Sequence, residues 1–282
     1  MTRRYKLSRI TTRFLLYALA IVVVVFTLMP VVWILSSSFK DHFEIMSMTP
    51  TVIPKSPTIE NYINIFEQSR VGTFVKNSLI VTVASMIATV FFAVFASYAI
   101  SFFKFKGRNF FSGMMLMLQI LPMIVSIVPL YIMFNRMGIS NTLFSLTIAN
   151  VAKTSGVPIA IILIGGYFTE VPRELTESAS LDGLSKLRSL FSIVIPITLP
   201  GIISTAIYTF VMVWQEFMLA TSLITDISLF TLPVGLETFR GHNTVDWGGI
   251  MATSTVIAIP AIILFIAVQK YFIDSMAGAI KG

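Results

Sequence analysis

The sequence has no cysteine, two histidines and few charges of either sign: 20 basic and 13 acidic residues together make 12% of 282 positions. Without cysteine there is neither a disulfide framework nor a thiolate metal site. His42 and His242 stand far apart, each in a loop between apolar runs, and no Ser/His/Asp set, paired-carboxylate site or metal-ligand cluster accompanies them. Any Gly-Lys dipeptide is missing too, so there is no Walker A loop to cradle a nucleotide's phosphates. Neither catalytic residues nor metal ligands are therefore expected in this chain. Polar surface is equally scarce. Hydrophobic residues reach 56% and the mean hydropathy is +0.87, a balance that would leave a soluble domain covered in apolar patches. These values define an integral membrane protein.

What the chain does have is long apolar runs. Six are long enough to cross a hydrocarbon layer of roughly 30 Å as helices, at about 14–36, 78–103, 110–134, 143–168, 201–225 and 249–273. Each is apolar around most of its circumference, and none alternates in polarity as the strands of a transmembrane barrel do. The expected fold is all-α: a polytopic membrane protein of about six transmembrane helices. It forms one membrane domain, 14–273, between an N-terminal segment 1–13 and a tail 274–282. The opening MTRRYKLSR has the charge of a signal peptide. The apolar run behind it is too long and lacks a small-residue cleavage site, so it stays as the first span.

With the N-terminus inside, Arg3, Arg4, Lys6, Arg9, Arg13, Lys104, Lys106, Arg108, Arg173, Lys186, Arg188, Lys270 and Lys281 fall on the cytoplasmic side. Lys40, Lys55, Arg70, Lys76, Arg136 and Arg240 fall outside, and Lys153 lies within a span. Thirteen against six is a positive-inside bias that makes both termini cytoplasmic. The net charge of +7 sits in short clusters beside apolar runs, where it sets topology and offers no nucleic-acid site.

One polar break interrupts this pattern. Residues 169–200, between the fourth and fifth runs, read TEVPRELTESASLDGLSKLRSLFSIVIPITLP. Pro172 suits the first turn of a helix, 173–181 continues without a breaker, and Gly183 supplies a C-terminal stop. So short a helix does not persist alone in water, so packing must stabilise it. A second helical piece runs from Ser185 to Pro196, and Pro200 follows; the two prolines are expected to bend the chain before it re-enters the membrane.

Within that break, Glu177, Ser178 and Ala179 are followed after three residues by Gly183, with Asp182 beside it, and after nine more by Ile193, Ile195 and Pro196. This resembles the cytoplasmic coupling loop of ABC importer permeases: Glu-Ala-Ala, three residues, Gly, nine residues, Ile, one residue, Leu-Pro. Ser178 and Ile195 depart conservatively from Ala and Leu. SSSFK at 36–40, ENYINIF at 60–66, FVMVWQEFMLA at 210–220, TLPVGLETFRG at 231–241, Trp247 and the tail QKYFIDSMAGAIKG extend the likeness to the carbohydrate-uptake permeases of the maltose type. Gln215 stands where that family has Asn, and the tail is a residue short between Phe272 and Ala277.

The resemblance implies half of a translocator in a bacterial plasma membrane, pairing with a homologous second permease. Two ATPase subunits would bind ATP and Mg, and an extracytoplasmic sugar-binding protein would deliver the carbohydrate. No cofactor is implied for this chain itself. The short helix before Gly183 would insert into a groove on the ATPase, with Glu177 fixing the docking, Ala179 permitting close approach and Gly183 turning the chain. The alternative, an ion-coupled secondary transporter, needs a coupling-ion site and commonly inverted repeats, and the sequence shows neither.

The substrate path is marked less sharply. Glu216 lies towards the outer end of the fifth run with Trp214 and Phe217 beside it and Tyr208 and Phe210 below. Aromatic faces and a carboxylate suit a sugar, and they equally suit helix packing with Glu216 paired across a permease dimer. Lys153, in VAKTSGVP, stands where Gly156 and Pro158 weaken the fourth helix; it lines a cavity, snorkels to the outer surface, or marks a span boundary that lies elsewhere. Pro122 and Pro129 are expected to kink the third span, and the 15 methionines to serve as adaptable packing.

Overall fold

Small polar residues, as much as apolar ones, decide how these helices assemble. The computed structural model describes residues 2–153, 155–241 and 244–279; His242 and Lys281 lie outside the described residues. The regular elements among them are helices, and contacts divide the chain into two units, Met1–Ser69 with Thr238–Ala258, and Arg70–Glu237 with Ile259–Gly282. Among the described residues four helices are long and apolar enough to cross a membrane, or six if each of two sharply bent pairs counts as one span.

In the first unit, α1 (Thr2–Ser38) is exposed along its apolar length, as suits a helix sheathed in lipid or another subunit. Beyond it the chain is clasped by polar contacts. Asp41 caps the single-turn α2 (His42–Ile45) by accepting the Glu44 N–H at 2.9 Å. The Glu44 carboxylate accepts the Thr51 hydroxyl at 2.6 Å and the Lys55 N–H at 3.0 Å. The Lys40 ammonium lies 4.6 Å from the centre of the Trp33 ring and donates to the Thr51 carbonyl. Asn61, in α3 (Glu60–Glu67), donates to the carbonyls of Ser38 and Lys40, which fastens α3 to the end of α1.

The second unit is organised around α4 (Val71–Phe102). Its buried face repeats small residues every three or four positions: Ser78, Thr82, Ser85, Thr89, Ala93, Ser97 and Ser101. Such a seam lets backbones approach closely where lipid removes the hydrophobic drive between helices. Ser85 donates to the Thr147 carbonyl in α7 (Leu143–Ala152), and Ser97 to the Ile161 carbonyl in α8 (Val157–Thr169). At its start, Asn77 holds the carbonyls of Ser228 and Phe230, and the Ser78 hydroxyl accepts the Leu232 N–H.

The third run is interrupted where a kink is expected. Helices α5 (Arg108–Leu118) and α6 (Met123–Arg136) meet at 102°. Pro122 is in extended conformation ahead of α6 and disfavours helical backbone at Leu121, whereas Pro129 is accommodated inside α6. The fourth run is the pair α7 and α8, bent by 47°. A Cβ at Gly156 would lie 2.4 Å from the Val151 carbonyl oxygen, so this break admits only glycine.

The fifth run differs most. After α9 (Arg173–Leu181), α10 (Lys186–Ser189) passes through a π-turn at Leu190–Val194 into α11 (Ile195–Trp214), an uninterrupted 29-residue path. Pro196 and Pro200 do not break this path: Pro196 lies in the first turn of α11, directly after the wider π-turn, and Pro200 is accommodated inside the helix. Lengthening the hydrogen-bond step moves the carbonyl that a proline ring would strike. The span also ends earlier than its apolar run, at Trp214, and short α12 (Met218–Leu223) and α13 (Leu232–Gly235) follow. Its inner face is a second small seam of Thr198, Gly201, Thr205 and Thr209, whose threonines satisfy themselves on carbonyls one turn back. The last helix, α14, runs over Trp247–Ala279.

Candidate coupling loop and intramembrane charges

The polar break folds as a short helix closed by a tight turn. Pro172 precedes α9 with φ −58°, and the chain leaves through Gly183 at φ 82°. Two bonds close the turn: Leu184 N–H to the Ala179 carbonyl at 2.9 Å, and Gly183 N–H to the Ser180 carbonyl at 3.2 Å. This is a Schellman closure, and its left-handed residue favours glycine. Ala179 is buried and faces inward, while Glu177, Ser178, Asp182 and Gly183 are exposed. Leu181 is 89% exposed and Leu187 59%. A helix that buries one alanine and presents acidic and apolar side chains outward has its free face ready for another surface.

The loop is nevertheless anchored. The Tyr98 hydroxyl of α4 donates to the Lys186 carbonyl at 2.9 Å, and the Lys186 ammonium lies 4.5 Å from the centre of the Phe103 ring. Between this end of α4 and α9 is a cleft of about 270 Å³ lined by Tyr98, Phe103, Arg173, Thr176, Glu177 and Lys186. Ile193 is half-buried within the π-turn and Pro196 is exposed just after it.

The residues assigned to a substrate path do not form one surface. Trp214 is buried and stacks on Phe210 at 5.8 Å, Tyr208 is half-buried on α11, and Phe217 is exposed beyond its end. Tyr208 and Trp214 are six residues apart, which on a helix sets them about 120° from one another. Glu216 is buried, and its two carboxylate oxygens accept the N–H groups of Leu219 at 2.7 Å and Ala220 at 3.0 Å. It caps α12. Lys153 ends α7, is 7% exposed, and lines an apolar cavity of about 440 Å³ together with Leu118, Leu121, Pro122, Met123 and Met133 at the α5–α6 break.

The helix seams and the α12 cap escaped the sequence reading. Ser and Thr at three- and four-residue spacing inside an apolar run were the available signal for the seams. The Glu216 cap had only a weak one, a carboxylate ahead of a short apolar stretch.

Fold and loop together define a class: a multi-pass helical membrane protein with a protruding, glycine-closed helix between two of its spans. The chain belongs to the family of binding-protein-dependent transport system inner membrane components, which matches residues 89–278, and is thus a multi-pass protein of an inner membrane. It is 35% identical over 263 residues to the inner membrane ABC transporter permease protein YcjP of Escherichia coli strain K12, covering 92% of each chain. It is 33% identical over 279 residues to the trehalose/maltose transport system permease protein MalG of Thermococcus litoralis, covering 98% of this chain and 99% of that one. Its fold matches a chain in the crystal structure of a bacterial ABC transporter involved in the import of the acidic polysaccharide alginate. The TM-score is 0.82, at 20% identity over 92% of this chain and 95% of that one. The family resemblance read from the loop motif stands, and nothing supports the ion-coupled alternative.

Proposed function

We propose that this chain is one membrane-spanning half of an ATP-driven importer for a carbohydrate, coupled to a separate ATPase subunit through α9. One observation carries the reading. A short helix with Glu177 and Ser178 exposed and Ala179 packed inward ends at Gly183, and α10–α11 continues without a break from this loop to Trp214. A push on α9 is thereby delivered along a membrane-length rod. The substrate class rests on the trehalose/maltose relative and on the carbohydrate-uptake motifs along the chain.

In this reading both termini and α9 are cytoplasmic, in accord with the charge bias, in a bacterial plasma membrane. A homologous permease supplies the second half, two ATPase subunits bind and hydrolyse ATP with Mg, and a sugar-binding protein delivers substrate from outside. The chain itself performs no catalysis and holds no cofactor. Its conformations are biased by the nucleotide state of its partners.

Co-purification followed by reconstitution tests this. The complex should accumulate at least one of radiolabelled maltose, trehalose, cellobiose or N,N′-diacetylchitobiose when ATP is supplied. Glu177→Arg and Gly183→Pro should abolish uptake and weaken retention of the ATPase subunits. Uptake driven by an ion gradient without ATP, or unaltered in both variants, refutes the reading.

A further inference from the structure

The short loop that joins α4 to α5 is basic: it carries Lys104 and Lys106, and Arg108 opens α5. Gly107 turns the chain at φ 96°, no side chain caps the helix, and the N–H groups of Asn109 and Phe110 meet no acceptor among the described residues. Free N–H groups at a helix start carry partial positive charge, which adds to the three cations. In front of them lies a cavity of about 250 Å³ lined by Lys104, Phe105, Gly107, Arg108, Asn109 and Phe110.

Arg108 also lines a second cavity, of about 320 Å³, between the last turn of α4, α5 and α8. Its depth is apolar. Along α8 the lining runs from Thr169 back to Ile161, eight residues (169 − 161) or about 12 Å at 1.5 Å each, and Met115 and Leu116 line it from α5. Gly165 and Gly166 keep it open, for a Cβ on Gly166 would meet nothing within 4 Å. Ser101 lines this cavity at 7% exposed, and its hydroxyl bonds to no described residue. The Arg108 guanidinium likewise has no described partner, and no acidic residue lines either cavity.

We propose that the two cavities together hold one anionic phospholipid of the cytoplasmic leaflet, its phosphate on Lys104, Arg108 and the start of α5 and an acyl chain along Gly165 and Gly166. Polarity is graded along the site as it is along such a lipid, from cations and N–H groups at the loop, through the Ser101 hydroxyl, to the apolar depth beside Ile161. A free anion would leave that depth unused, and a zwitterionic lipid would bring its own cation to the basic cluster. Basic pockets between the cytoplasmic ends of spanning helices suit acidic head groups. The choice of leaflet rests on the cytoplasmic placement of Lys104, Lys106 and Arg108 in the importer reading; binding does not require that the chain transport anything.

To test this, the purified complex in detergent is offered phosphatidylglycerol carrying a photoactivatable diazirine near the end of one acyl chain, or the matching phosphatidylcholine, and adducts are mapped by peptide mass spectrometry. Adducts should fall on 112–116 and 161–166, with phosphatidylglycerol labelling at least about fivefold above phosphatidylcholine. Arg108→Gln should lower phosphatidylglycerol labelling about fivefold, the loss of one basic contact to an acidic head group, and leave phosphatidylcholine labelling unchanged. Gly166→Leu fills the apolar depth without touching a charge and should lower labelling by both lipids; Arg188→Gln, at an exposed cation outside both cavities, should change neither. Equal labelling by the two lipids, adducts confined to other segments, an Arg108→Gln complex labelled like wild type, or an equal loss in Arg188→Gln overturns the site. So does complete displacement by millimolar inorganic phosphate, which would assign the pocket to a free anion. Should Gly166→Leu fail to assemble, Arg108→Gln decides alone. A complex that takes the lipid yet shows no ATP-driven uptake rejects the importer reading and leaves the lipid site standing.

Discussion

Two glutamates show how differently the ends and the middle of this bundle are built. Glu177 stands exposed on α9, and the helix carrying it is closed by backbone bonds that do not involve its side chain. Glu216 is buried and both of its oxygens are spent on backbone N–H groups. The first is free to act on a partner because the fold does not need it. The second is needed by the fold, so any part it plays in transport passes through the position of α12.

This contrast breaks most sharply where the two regions join. Gly201→Leu would drive a side chain into the Tyr167 ring and is expected to cost at least about 3 kcal/mol, the upper end of overpacking. Thermal unfolding of purified protein should show the loss, and adding Tyr167→Ala should restore part of it. Glu216→Ala comes next. It removes two charge-assisted hydrogen bonds and should cost about 2–4 kcal/mol, whereas Glu216→Gln keeps one acceptor and should cost less; equal melting temperatures for the two would show that the cap contributes little. Gly183→Ala forces a left-handed backbone on an L-residue, for about 1–2 kcal/mol confined to the loop, and limited proteolysis should show faster cutting between α9 and α10. Glu177→Arg should leave the melting temperature within the ~0.5 kcal/mol typical of surface changes, while ATPase retention falls.

A last and smaller effect concerns Glu44. Its carboxyl is held below its ordinary value chiefly by the Thr51 hydroxyl, a pull partly opposed by desolvation and aided by the Lys55 N–H. A lowered folded-state value means the clasp is fully present above the ordinary carboxylate range and is lost as pH falls through the lowered value. Hydrogen-exchange protection of the Lys55 amide should therefore drop only as pH falls beneath the ordinary carboxylate range, and in Thr51→Val it should drop at a higher pH.

What could be read from the residues follows the same division. The loop was legible because its signals are local: Pro172 opens a helix, Gly183 closes it, and the spacing between them fits one short element. The first, second and sixth spans were legible by length and hydropathy alone. The middle was not. Pro122 signals equally a kink or a break, and the residues alone do not give the turn of 102°. The apolar run 201–225 conceals the end of α11, since hydropathy does not distinguish a helix from a helix followed by a capped turn. Lys153 and Glu216 could be singled out as costly charges, yet their sequence separation hid that the helices they end and cap, α7 and α12, share one apolar cluster.

The π-turn at Leu190–Val194 bears on evolution and on engineering alike. It stores one surplus residue at the base of a rod whose 29 residues reach roughly 40 Å at 1.5 Å each. Deleting Ser192 would convert that turn to regular helix and leave the threonine seam and the Glu216 cap close to their present phase, whereas a deletion farther along α11 would rotate everything beyond it by about 100°. The base of the rod is thus the place where its length can shrink by one residue without re-aiming the helix beyond.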